Sequence, residues 1–180
     1  MGAITVKITA AQDGYFGMGV DSTSSAKYSC YLQAGESYTF TETAAGVGGK
    51  LIYIFGADKL SELDLSGSTP KNSNWVIADC TLLRKLIIGG ESYSPSYTDD
   101  ILSTLNLGQM PFLEEIDIRN TKILTLNATG CPRLKTVKAH GSLLRSFSPA
   151  QSSTLQTLTL PSSMTELAFV NLPSLGYPNG

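Results

Sequence analysis

The side chains in this sequence best equipped for chemistry are its tyrosines, a single histidine and three cysteines. Tyr93 and Tyr97 flank Pro95 in the polar stretch 91–100. Two amphipathic rings on a stiffened backbone offer apolar area and a hydroxyl each, which is recognition chemistry. Asp99 and Asp100 close that stretch, but no Asp-x-Asp-x-Asp spacing or following Glu completes a calcium loop, so they read as caps on a short helix over 101–105. His140 has no nucleophile fixed beside it by any motif, and a Ser-His-Asp set drawn from so many serines would arise by chance. Gly46-Val47-Gly48-Gly49 lacks the Lys-Ser or Lys-Thr of a phosphate loop, and no paired cysteines or His-Glu-x-x-His supply a zinc site. No catalytic residue, metal ligand or cofactor is assigned. The expectation is a chain that is not an enzyme, with a hydrolase as the weakest reading.

Recognition chemistry needs a frame, and the sequence repeats one. Leu113-Glu114-Glu115-Ile116-Asp117-Ile118, Leu134-Lys135-Thr136-Val137-Lys138-Ala139 and Leu155-Gln156-Thr157-Leu158-Thr159-Leu160 recur every 21 residues, since 134 − 113 and 155 − 134 are equal. The same Leu-x-x-Leu-x-Leu pattern occurs at Leu60, Leu63 and Leu65 and at Leu83, Leu86 and Ile88, with longer loops after each. A second apolar set follows each later strand: Ile123 and Leu126, Leu144 and Phe147, Met164 and Leu167. Pro132, Pro149 and Pro161 argue against long helices there, so one short strand per repeat with an irregular or extended return is expected. No single repeat can bury its own apolar face; stacking closes a shared core.

Residues 1–55 follow a different rhythm. Ile4, Val6 and Ile8 alternate, as do Tyr38 and Phe40, and Asp13-Gly14 and Ala34-Gly35 supply turns, which reads as a small antiparallel unit able to cap the solenoid of residues 56–180. Its aromatics, Tyr15, Phe16, Tyr28, Tyr31, Tyr38, Phe40, Tyr53 and Phe55, are expected mostly to fill that unit's core, leaving one or two tyrosines free to meet a glycan. Cys80 and Cys131 each precede a repeat leucine by three residues and read as compact apolar groups at a turn, not as a disulfide.

The quoted hexamers resemble the strand motif of the leucine-rich repeat family over roughly residues 60–175, and the return leucines resemble its second consensus segment. Where that family places Asn, this chain has Ser68, Glu91, Thr121, Ser142 and Ser163, and the Ser and Thr hydroxyls can take over bonds to the turn backbone. Short units with Ser or Thr at that place resemble the divergent bacterial branch found in surface proteins of gut Bacteroidetes and in proteins of their phages. The expected fold is therefore mainly β with irregular returns: a leucine-rich repeat solenoid preceded by a small antiparallel sheet.

The resemblance implies that the exposed strand face binds a partner. Between the buried leucines the outward residues form columns, Glu115, Thr136 and Thr157; Asp117, Lys138 and Thr159; and Arg119, His140 and Pro161, with Asp117 and Lys138 expected to pair as neighbours. With Tyr93 and Tyr97 these make the candidate binding residues for a protein or a glycan. A structural module of a bacterial surface or virion assembly is the other reading. A net charge of −2, with 13 basic residues scattered against 15 acidic ones, gives no field for a nucleic-acid backbone. No apolar run reaches the 18 residues of a membrane span, so no membrane insertion is expected. A secreted or cell-surface setting is favoured, with a virion or cytoplasmic one left open. The repeat begun at Met164 lacks a polar cap, so the solenoid is expected to be incomplete at its C-terminus: either a fragment of a longer protein or covered there by another copy or subunit.

Overall fold

Both apolar rhythms become strands in the computed structural model, which describes residues 2–21, 24–44, 51–68, 75–77, 79–91, 102–150, 154–162, 164 and 166–167. In chain order the strands are β1 (Gly2–Ala10), β2 (Gly14–Val20), β3 (Tyr28–Leu32), β4 (Ser37–Ala44), β5 (Ile52–Phe55), β6 (Leu60–Asp64), β7 (Trp75–Val76) and β8 (Lys85–Ile87). They continue with β9 (Thr104–Asn106), β10 (Glu115–Asp117), β11 (Thr125–Ala128), β12 (Thr136–Lys138), β13 (Ser146–Pro149), β14 (Thr157–Thr159) and β15 (Glu166–Leu167). Among the described residues the only helical element is a 3-10 turn at Ala57–Lys59.

Successive repeats lay their first strands side by side in a main sheet of order β14-β12-β10-β8-β6-β1-β4. From β6 to β14 the pairing is parallel and in register, so Leu63, Leu86, Ile116, Val137 and Leu158 form one inward row. Ile88, Ile118 and Ala139 form the next row and are fully buried, with Leu160 packed partly against the same core. A parallel ladder spaces such neighbours by about 4.8 Å, close enough for each repeat to seal the next.

The returns are more regular than the sequence implied. They hydrogen-bond as a second parallel sheet, β15-β13-β11-β9, in which Leu105, Leu126 and Phe147 align. The helix expected over 101–105 is overturned: Thr104–Asn106 is β9, the Ser103 carbonyl accepts from the Leu124 and Thr125 amides, and Leu105 and Leu107 alternate inward. An apolar pair spaced three apart fits a helix or a short buried strand, and pairing with the neighbouring repeat decides for the strand.

Polar side chains finish the turns. Ser68 Oγ both accepts from the Thr5 amide (2.9 Å) and donates to the Thr5 carbonyl (2.7 Å), joining the first repeat to β1. Thr121 Oγ1 donates to the Ile118 carbonyl (2.8 Å) and Ser142 Oγ to the Ala139 carbonyl (2.6 Å). All three are buried, so each hydroxyl finds a backbone carbonyl away from water, at Ala139 alongside the Ser142 amide. Cys80, Met110 and Cys131 share another turn, where their carbonyls accept from Leu83, Leu113 and Leu134. The cysteines are free thiols; burial pushes Cys80 up to about 12, with Asp79 and Asp58 adding to the effect, and Cys131 to about 11. Both stay protonated and serve as apolar filler.

The N-terminal strands do not form one sheet. β1 extends the main sheet antiparallel to β6 and β4 pairs antiparallel to β1, whereas β3-β2-β5-β7 make a small sheet in which β7, the first return, runs parallel to β5. Phe16, Met18, Ile52 and Ile54 of this sheet share one continuous core with Ile4, Val6 and Ile8 of the main sheet and with the repeats. β4 ends the main sheet and turns a charge inward: Glu42 is buried and accepts from Lys27 Nζ and from Tyr28 Oη at 2.9 Å. An inward carboxylate on an edge strand opposes pairing with a further strand.

The aromatics depart from expectation. Phe16 and Phe40 are buried and Tyr28 packs against the core, but Tyr15, Tyr31 and Tyr38 are exposed and Tyr53 and Phe55 half-buried. Alternation is the reason. Phe16, Met18 and Ile54 already occupy the inner side of the small sheet, so Tyr15, Tyr31, Tyr53 and Phe55 take the outer side.

Candidate functional site

The outer face of the main sheet carries the residues that the repeat pattern singles out. One column runs Glu62, Lys85, Glu115, Thr136, Thr157, and the next Asp64, Ile87, Asp117, Lys138, Thr159. Glu115, Asp117, Thr136, Lys138, Thr157 and Thr159 are thus brought together as expected. Tyr93 and Tyr97 lie outside the described residues, as does most of the terminal segment expected to self-associate. His140 is exposed beyond the end of β12, and its carbonyl accepts from the Asn120 amide (3.2 Å).

Two of these residues are structural. Asp117, only 4% exposed, accepts from the Arg119 amide (3.1 Å), from Arg119 Nε (2.9 Å) and from Arg119 Nη2 (2.7 Å). Its carboxylate closes the turn after β10, as Asp64 does after β6 by accepting from the Ser66 amide (2.8 Å). Arg119 also pairs through Nη1 with Glu91, so its guanidinium is spent inside the loop layer. The expected Asp117–Lys138 pair is replaced by Lys138 Nζ to Glu115 Oε1 at 2.6 Å. Asp117 turns toward Arg119, whereas Glu115 has the length to reach the neighbouring lysine.

The sequence reading missed a row one residue earlier. Arg84, Glu114 and Lys135 stand on adjacent repeats, with Arg84 Nη1 2.9 Å and Lys135 Nζ 2.7 Å from the two Glu114 oxygens. The signal lay in the period, because 135 − 114 is 21, but alternation within the strand marks only one of the two positions between the leucines as outward. The hydrogen bond from Lys135, followed by the charges of Lys135 and Arg84, holds the Glu114 carboxyl below its ordinary range. A carboxyl depressed by folding stabilises the native state above its unfolded value, near 4.3, and that contribution disappears as pH falls through the folded value. Thermal melts from pH 6 to pH 2 should therefore show wild type losing its advantage over Glu114→Gln on acidification. The triad is solvated, so high salt should narrow the same gap.

The face is consequently of mixed sign, with hydroxyls of Thr136, Thr157 and Thr159 beside a paired set of charges. Among the described residues no three of His, Cys, Asp or Glu converge as metal ligands, and no helix is long and apolar enough to cross a membrane. Comparison of the chain with family models, with curated proteins and with solved structures returns no match.

Proposed function

We propose that this chain is a non-catalytic recognition module whose main-sheet outer face docks a protein surface. Its solenoid is read as a divergent leucine-rich repeat array of the kind carried by bacterial surface or phage proteins. The observation that carries the proposal is the preorganisation of that face. Neighbouring repeats hold Arg84, Glu114 and Lys135, and Glu115 and Lys138, in ion pairs, so part of the side-chain entropy is already given up before docking. Mixed charge suits a protein partner, where complementary placement of signs selects the partner and the approach. The Leu-x-x-Leu-x-Leu strands in register and the buried Ser68, Thr121 and Ser142 hydroxyls support the repeat assignment.

The test is a protein and glycan array probed with the wild-type chain and with a Thr136→Arg, Thr157→Arg double variant. Both positions point outward, so the variant should melt with the wild type while losing at least about tenfold in affinity for a protein captured by the wild type. Equal binding by the two would remove the main-sheet face from recognition and favour a structural module.

A further inference from the structure

A second surface lies on the outer side of the small sheet, away from the repeat columns. Tyr15 is 76% exposed and Tyr31 53%, and they stand side by side across β2 and β3 with ring centroids 5.1 Å apart. Next to them Phe55 and Tyr53, with centroids 4.9 Å apart, sit opposite Gly17 and Gly19. Rings this exposed give little to the core, so their apolar area remains available to a ligand.

A cleft of about 330 Å³ opens beside Tyr53, lined also by Gly56, Asp58, Asp79 and Thr81. That volume falls at the lower end of small-ligand sites. Tyr53 Oη donates to Asp79 Oδ2 over 3.4 Å, a long bond that leaves the carboxylate room for stronger donors. Gly56 packs the edge of the cleft against β2. Its φ is +76°, and a Cβ there would fall 2.7 Å from the Tyr15 carbonyl oxygen and 3.0 Å from the Phe16 ring, so only glycine fits between the cleft and β2.

We propose that this face binds a neutral oligosaccharide, one sugar seated in the Asp58–Asp79 cleft and others along the rings. The C–H faces of pyranoses match the flat apolar rings, and sugar hydroxyls are donors that carboxylates accept strongly. Two carboxylates line the cleft, whereas Lys59, next to Asp58 in the chain, reaches toward Gly14 on the β2 side, so anionic sugars are disfavoured in the cleft itself. This goes beyond the main-sheet reading, since it concerns a different surface and a defined ligand class.

Saturation-transfer NMR and titration calorimetry of the full chain would decide it, using neutral hexasaccharides of glucose, galactose, mannose and N-acetylglucosamine, with a heparin hexasaccharide as the anionic probe. At least one neutral probe should bind. Tyr15→Ala with Tyr31→Ala should weaken that binding tenfold or more, and Asp58→Asn with Asp79→Asn should do likewise, with thermal melts unchanged because all four side chains are solvent-facing. Absence of neutral-sugar binding, preference for heparin, or indifference to both pairs of substitutions overturns the proposal. If the Thr136→Arg, Thr157→Arg variant alone abolishes sugar binding, the sugar belongs to the main sheet and this inference fails while the main-sheet face stands.

Discussion

Replacing Gly89 with alanine should destabilise the protein by about 3 kcal/mol or more, whereas the same change at Gly90 should stay within about 0.5 kcal/mol. A Cβ at 89 would fall 1.9 Å from the Arg119 carbonyl oxygen and 2.8 Å from Thr121 Cγ2, both on the next repeat. A Cβ at 90 meets nothing within 4 Å. The obstruction at 89 is backbone, which cannot swing aside as a side-chain tip does, so the two repeats must part and their strand ladder with them. Gly130 repeats the situation on the return side, 1.8 Å from the Gly108 carbonyl oxygen, and its alanine variant should behave like Gly89→Ala. Urea unfolding read by circular dichroism checks all three; equal midpoints at 89 and 90 would show that the repeats are not this close.

Phe147→Ala should cost about 3–5 kcal/mol, the loss expected from emptying a fully buried aromatic site. Phe147 has no solvent exposure and sits in register with Leu126 on β11, and β13 carries it between two neighbouring return strands. The cavity would therefore open in the middle of the return sheet, where collapse from either side is limited. Leu158→Ala, although it occupies an equivalent row of the main sheet, should cost only about 1–2 kcal/mol, because Leu158 is partly exposed. Chemical denaturation of both variants tests this ranking, and a reversed order would place the centre of the core elsewhere.

The main strands were legible in the sequence because a 21-residue period repeats every structural role at the same offset. Leu113, Leu134 and Leu155 could be aligned by subtraction alone, and Leu113 and Leu134 do occupy matching turns. The returns were less so: Leu144 and Phe147 are three apart, a spacing that helix and strand share until a neighbouring repeat supplies hydrogen bonds. Burial of Asp117 was hidden for another reason. Strand alternation predicts the direction of Cβ, but the carboxylate folds back onto the Arg119 amide and guanidinium, a local competition that periodicity does not encode. The exposed tyrosines were hidden because the same alternation gives two faces without naming the inner one. Only the position of β2 between β3 and β5, with Phe16 and Met18 against the core, settles that Tyr15 points outward.

Glu42 gives the stack a direction. To lengthen the main sheet past β4, an incoming strand would have to lie beside a row that hides a carboxylate tied to Lys27 and Tyr28, and any shift that dislodged it would strand an unpaired charge in an apolar interior. One rim of the molecule is thereby made a poor template for runaway polymerisation, and lateral association there is discouraged by the same salt link that holds the two layers together.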